Sequence, residues 1–325
     1  MTAPKPLPMS IPTSIYVPPS TTRIAAGDYT RDLDVTDAEL VALLDLASDM
    51  KRTPRRYASA LQGRYLALLF EKPSLRTRVT FELAIKQLGG DSILNAGLIG
   101  EREPIKDIAR NLDRWTDGIV ARVFSHRTIL DLAEWSAVPV VNALCDRYHP
   151  CQALADMMTI REKLGRFSGM TLAYIGDGNN VAHSLMISAA RVGLNFRLAC
   201  PDGYDPDAAL VDEAREIASL RGTEIRITRD PLEAVSGADA VYTDVWASMG
   251  QEDQALDRRA IFQPYQVNES LMARAHAKAI FMHCLPAKRN QETTDGVMES
   301  TQSVVFDQAE NRLHTQKALL LMMLG

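Results

Sequence analysis

Residues 65–82 read Tyr65-Leu-Ala-Leu-Leu-Phe-Glu-Lys-Pro-Ser-Leu-Arg-Thr-Arg-Val-Thr-Phe-Glu82. The run 65–70 is apolar without alternation, the pattern of a strand covered on both faces. Lys72-Pro73 ends it, and Phe81, Ile85 and Leu88 then follow at helical spacing. A buried strand feeding a helix is the building unit of a parallel α/β sheet. At the junction stand the hydroxyls of Ser74 and Thr77 and the guanidinium groups of Arg76 and Arg78. A helix start offers unpaired N–H groups and the positive end of the helix dipole. Hydroxyl donors and Arg forks added there make a cradle for a phosphate dianion. No Gly-x-x-x-x-Gly-Lys is present, so this is not the nucleotide P-loop. The competing reading is a helix cap with solvated arginines.

The same alternation extends in both directions. Thr36-Asp-Ala-Glu39 is a capping box that opens a helix through Leu40, Leu43, Leu44 and Ala47. Further strands are predicted at 92–95, 118–123, 138–141, 170–175, 196–200, 224–227, 240–242 and 279–282. Helices are predicted at 105–115, 128–136, 152–164, 181–192, 208–220 and 308–324. This order implies an α/β chain with two doubly wound parallel-sheet domains and a site in the cleft between them. The expected division is a Pro-rich arm (1–33), a first domain (34–153) and a second (154–307). The last helix (308–325) is expected to pack back on the first domain. Structure is expected to begin near Asp34.

The chain has 325 residues, ample for two domains, and 46% of them are hydrophobic. Its net charge of -5 and pI near 5.7 argue against nucleic acid or an anionic membrane as partner. No apolar run approaches the roughly 20 residues of a membrane span. Four cysteines without Cys-x-x-Cys spacing suggest reduced thiols and a cytoplasmic protein. Residues 1–20 hold six prolines, one Lys and no Arg, which suits neither a secretory signal nor a mitochondrial transit peptide.

The remaining polar clusters fall just after predicted strands. Arg122 ends the strand 118–123, as a structural ion pair or as a second clamp on the same anion. His149-Pro-Cys-Gln152 precedes a helix; a neutral imidazole can donate to a carbonyl, and Gln152 can donate or accept. Zinc is a weak alternative, because His149, Cys151, His283 and Cys284 lack ligand spacing. Gly176-Asp-Gly-Asn-Asn180 lacks the third glycine of a dinucleotide fingerprint, and Asp202 is a poor ribose ligand. Its asparagines could hold a carboxylate instead. Asp244-Val-Trp-Ala-Ser-Met-Gly250 places an acid for an ammonium group, with Trp and Met to line an aliphatic stem. His283-Cys-Leu-Pro286 pairs two reactive residues, but strand neighbours point to opposite faces. Glu310-Asn-Arg312 adds one more guanidinium near the last helix.

Together, Phe70–Arg78, His149–Gln152, Gly176–Asn180, Asp244–Gly250, His283–Pro286 and Glu310–Arg312 resemble the ornithine carbamoyltransferase family, in order, from about residue 34 to the end. The resemblance implies transfer of a carbamoyl group from carbamoyl phosphate to L-ornithine, giving citrulline and phosphate. It implies that Ser74, Leu75 (through its backbone), Arg76 and Thr77 hold the phosphate, with Arg122 bridging phosphate and carbonyl. His149 would donate to the carbonyl oxygen and Gln152 would hold the carbamoyl NH2. Arg312 and the backbone of Cys284-Leu285 complete that pocket. Asn180 and the Met249 backbone would bind the ornithine carboxylate, Asp244 its α-ammonium, and Ser248 would line the pocket. Cys284 would sit beside the δ-amine, positioning it without forming a covalent bond. Loop 244–255 is a candidate lid. The resemblance implies a homotrimer or a multiple of trimers, and neither metal nor cofactor.

This chain departs from the family pattern at two places. Leu75 stands where many members carry Thr and where N-acyl-ornithine relatives carry Leu. Leu98-Ile99 precedes Gly100 where a polar Gln or His is common. A carbamoyltransferase for another amine, an NAD-dependent oxidoreductase and a non-catalytic homologue are the competing readings.

Overall fold

The computed structural model describes residues 22–247 and 255–325. Helix α1 (Asp37–Arg52) starts at the expected capping box: Thr36 accepts from the Glu39 N–H, and Glu39 accepts from the Thr36 N–H. Then follow β1 (Tyr65–Phe70), α2 (Leu75–Gln87), β2 (Asp91–Ala96), α3 (Ile105–Leu112), β3 (Gly118–Arg122), α4 (His126–Trp135), β4 (Val140–Leu144) and α5 (Pro150–Leu164). The second half runs β5 (Thr171–Ile175), α6 (Asn180–Val192), β6 (Asn195–Ala199), α7 (Ala208–Arg221), β7 (Ile225–Thr228), α8 (Pro231–Val235), β8 (Ala240–Thr243) and α9 (Ala255–Phe262). It ends with α10 (Glu269–Met272), β9 (Ile280–His283), α11 (Asp295–Met298) and α12 (Val305–Leu324).

Each half forms one parallel sheet, in the orders β2-β1-β3-β4 and β7-β6-β5-β8-β9. These are the two doubly wound domains read from the sequence. In such sheets ligands bind beyond the strand carboxyl ends where the winding reverses. The reversal lies between β1 and β3 in the first sheet and between β5 and β8 in the second. The motifs at 71–78, Arg122, 176–180 and 244 stand at those four strand ends.

Three expectations need correction. Order begins well before Asp34: Tyr29 is buried and bridges Val141, exchanging backbone hydrogen bonds with Val140 and Asn142. Its ring is a large apolar surface beside an otherwise open sheet edge, which the proline count of the arm concealed. Strand β4 runs 140–144, not 138–141. Pro139 has no N–H to give, and Ser136 Oγ turns the chain by bonding Val138. The final helix starts at Val305, so Arg312 lies inside it.

Helix α5 runs unbroken through residues 153 and 154. Helix α12 packs against α1, α2 and α5. A clasp joins the N-terminal segment to α6. The buried Asp32 accepts from Ser184 Oγ at 2.6 Å and Ser188 Oγ at 3.3 Å, and Arg191 donates to the carbonyls of Asp32 and Val35. Ser184 Oγ in turn accepts the His149 backbone N–H at 3.0 Å, so the clasp reaches the site.

Candidate active site

A cavity of about 500 Å³ lies between the two sheets, lined from both halves. Its first wall is built on the start of α2. Ser74 is the N-cap, extended at φ -158°, and its Oγ accepts the Thr77 N–H at 3.2 Å. The other first-turn N–H groups of this helix have no acceptor within it. Leu75 and Arg76 line the cavity beside Ser74. Arg78 does not. It pairs with Glu82 one turn on, at 2.8 Å.

Thr77 is fully buried and its Oγ1 accepts from two guanidiniums, Arg122 Nη1 at 3.2 Å and Arg312 Nη2 at 2.6 Å. Arg122 ends β3 beside an irregular register step to β4, a device that re-aims a side chain. Arg312 comes from α12. Both are buried, and among the described residues Nε of each lacks a hydrogen-bond partner. Burial, then the charge of Arg312, pulls Arg122 down to about 9, and burial lowers Arg312. Arg122 therefore stays protonated at neutral pH. Clustered, desolvated cations are costly unless an anion neutralises them.

His149 caps α5 on the same wall. Burial, then Arg312 and Arg122, hold its pKa well below the ordinary value, so the ring is neutral. Its Nδ1 is buried without a partner. Gln152 does not reach the wall. It lies three residues along α5, donating Nε2 to Asp156 at 2.8 Å, with Oε1 unpartnered.

The second wall comes from β5, β8 and β9. Asn179 caps α6 and also donates Nδ2 to Asp244 at 3.1 Å. Asn180 lines the cavity and donates to the Cys145 carbonyl at 2.6 Å. Gly178 is required by packing: a Cβ there would stand 2.2 Å from Pro206 N. Asp244 is buried and accepts from Asn179, from the Val245 N–H and from Cys284 Sγ at 3.0 Å. Burial and Asp244 push the Cys284 thiol well above its usual value, so it is no thiolate. Leu285, at φ 58°, turns its N–H to His283 Nδ1. His283 Nε2 faces Glu292 at 3.2 Å. The neighbours thus diverge, as strand alternation requires. Asp244, His283 and Cys284 place ligand atoms within 4.8 Å of one another, yet both His283 nitrogens are already engaged.

All the expected site residues among those described line this cavity except Gln152. Ser248 and Met249, with most of the loop read as a lid, lie outside the described residues. Trp246 is not on the wall: its ring packs 6.0 Å from Phe262 in the second core. Lys72 and Lys288 line the cavity and were not singled out. Lys72 lies within the anion motif, its Nζ 4.5 Å from the Phe124 ring centroid, and Lys288 follows Cys284 by four residues. The available signal was a lysine inside the first motif and another two residues past Pro286.

Two family models match the chain. The carbamoyl-P binding domain of aspartate/ornithine carbamoyltransferase matches residues 28–162, and the Asp/Orn binding domain matches residues 168–323. The chain belongs to the aspartate/ornithine carbamoyltransferase family. An ornithine carbamoyltransferase of Methanothermobacter thermautotrophicus is 53% identical over 297 residues, covering 90% of this chain and 98% of its own. One from Thermococcus kodakarensis is 51% identical over 300 residues, covering 90% and 94%. The solved structure of ornithine carbamoyltransferase from Pyrococcus furiosus superposes with a TM-score of 0.91 at 46% identity, covering 94% of this chain and 99% of that one.

Proposed function

We propose that this chain transfers the carbamoyl group of carbamoyl phosphate to the δ-amine of L-ornithine, releasing L-citrulline and phosphate. The observation that carries the reading is the cavity itself. Arg76, Arg122, Arg312 and neutral His149 face Asp244, Asn180 and Cys284 across one small space.

The first-turn N–H groups of α2, Ser74, Arg76 and Thr77 hold the phosphate. Arg122 bridges phosphate and carbonyl oxygen, His149 donates to that oxygen, and Gln152 takes the carbamoyl NH2. Arg312 and the backbone at Cys284-Leu285 close the pocket. Asn180 and Asp244 hold the ornithine carboxylate and α-ammonium; Ser248 and Met249 belong to the same pocket. The δ-amine has a solution pKa of about 10.4, and only its free base attacks. Desolvation beside cations favours that form. The new C–N bond puts charge on the carbonyl oxygen, where Arg122, His149 and Thr77 stabilise it. The C–O bond to phosphate then breaks, and the departing phosphate takes the amine proton. No protein nucleophile is needed, in keeping with a thiol held protonated at Cys284.

A homotrimer accounts for the outer face of the first domain. Leu75, Val79 and Leu83 form an exposed stripe at four-residue spacing on α2, beside exposed Ile93 on the edge strand β2 and Leu98. The four unpaired cysteines accord with a reducing cytoplasmic setting, and citrulline formation with arginine biosynthesis or the urea cycle. No helix among the described residues is long and apolar enough to cross a membrane. We divide the chain at 34–153, 154–307 and 308–325, the last belonging to α12, which is seated on the first domain.

The test is a colorimetric citrulline assay on the pure protein. Product is expected, with Arg76→Ala slower by roughly 10³-fold, the scale of a lost transition-state donor. Equal rates would refute the phosphate assignment. Rates with N-acetylornithine and putrescine at the same concentration separate ornithine from its rivals. Acylation removes the charge that Asp244 meets, and putrescine lacks the carboxylate that Asn180 meets.

A further inference from the structure

Asp156 is fully buried on α5, one turn beyond Gln152, and touches no wall of the cavity. Its Oδ1 accepts from Gln152 Nε2 at 2.8 Å and from Gln308 Nε2 at 2.7 Å, and its Oδ2 accepts from the Tyr242 hydroxyl at 3.3 Å. Gln308 Oε1 accepts the His283 backbone N–H at 3.0 Å. Three elements meet at this carboxylate and a fourth joins through Gln308, and each carries site residues nearby. Tyr242 precedes Asp244 by two residues, His283 precedes Cys284, Gln308 lies one turn before Arg312, and α5 carries His149 and Gln152.

Asp156 Oδ1 accepts from both side-chain amides, so each turns its NH2 inward and its oxygen away. Gln308 shows the consequence, since its oxygen meets a backbone N–H. Gln152 is turned the same way, but its buried oxygen has no partner among the described residues. A buried acceptor left unpaired costs about 1–3 kcal/mol, so this orientation is held against a penalty. The group that suits it is an N–H donor entering from the side of His149, which lies on the same helix face three residues earlier.

We infer that Asp156 is a positioning residue that locks the Gln152 amide with its oxygen presented to the NH2 of the carbamoyl group. This rests on the proposed carbamoyl transfer and deepens it. Asp156 itself touches neither substrate.

The test is a double-mutant cycle on the full chain, reading kcat/KM for carbamoyl phosphate, with melting temperatures recorded in parallel. Gln152→Ala and Asp156→Ala are each expected to lose about 100-fold, and the double variant also about 100-fold, since Asp156 acts only through Gln152. A purely structural role would leave the losses multiplicative, near 10⁴-fold, and would overturn the inference. A folded Asp156→Ala with parent kinetics would overturn it too. If Asp156→Ala does not fold, the space-filling Asp156→Leu carries the same cycle; failure of both to fold would make Asp156 a hub of the fold and end the positioning claim. A harmless Gln152→Ala would instead count against the substrate assignment of Gln152.

Discussion

Arg122→Met is expected to give a chain that is more stable than the parent and nearly inactive. Arg122 is 6% exposed, and among the described residues its guanidinium bonds a threonine hydroxyl while its Nε is unpartnered. Arg312 and Arg76 add repulsion to the cost of burial. Replacing such a buried charge by an apolar side chain of similar length commonly stabilises a fold by about 1–4 kcal/mol. The same change removes the group proposed to meet charge on both the phosphate and the carbonyl oxygen. Arginines that stabilise phosphoryl-bearing transition states contribute roughly 10³–10⁵-fold, so turnover should fall by about 10⁴-fold. Urea unfolding and citrulline formation measure the two effects on one preparation. Loss of stability together with retained turnover would mean that Arg122 is a structural ion pair.

Asp244→Asn is expected to act on one substrate and not the other. Its carboxylate is held by the Asn179 amide, the Val245 N–H and the Cys284 thiol, all donors. Three donors fixed on one buried carboxylate leave its charge oriented for a cation. An asparagine keeps the shape but loses the charge, and its NH2 must face one of those donors. Truncating one partner of a desolvated charge pair costs about 3–5 kcal/mol. The value of kcat/KM for ornithine should therefore fall by roughly 10²–10³-fold. KM for carbamoyl phosphate should stay within about threefold, because that ligand is proposed to meet the opposite wall. Steady-state kinetics with each substrate varied in turn provide the check. Equal losses on both substrates would point to a collapsed cleft.

Much of this architecture was legible because local pattern and fold agree. An unbroken apolar run, a Pro stop and a capping Ser announced β1, the turn and α2. The alternation of such units fixed two parallel sheets, and strand-end positions followed from topology. Strand alternation alone separated His283 from Cys284. What escaped notice has a common cause. Asp156 meets Tyr242 and Gln308, and Ser184 meets Asp32, far along the chain, and no spacing rule encodes such bonds. Arg78 resembles Arg76 in sequence, yet a Glu one turn later claims it. Trp246 sits in a motif of polar residues, yet a ring on α9 draws it into the core. The short helices α8, α10 and α11 are too brief to show periodicity. Lys72 was read as the end of a strand and not as a charge on the cavity wall.

Calorimetric binding of a bisubstrate analogue, with a phosphonate in place of phosphate and its acyl carbon joined to the ornithine δ-nitrogen, tests most directly whether the two walls serve one reaction. Arg122→Met and Asp244→Asn lie on opposite sides, and each should weaken this single ligand by at least about 100-fold, since each removes a desolvated charge contact. Undiminished binding by either variant would show that the two walls do not grip the same molecule.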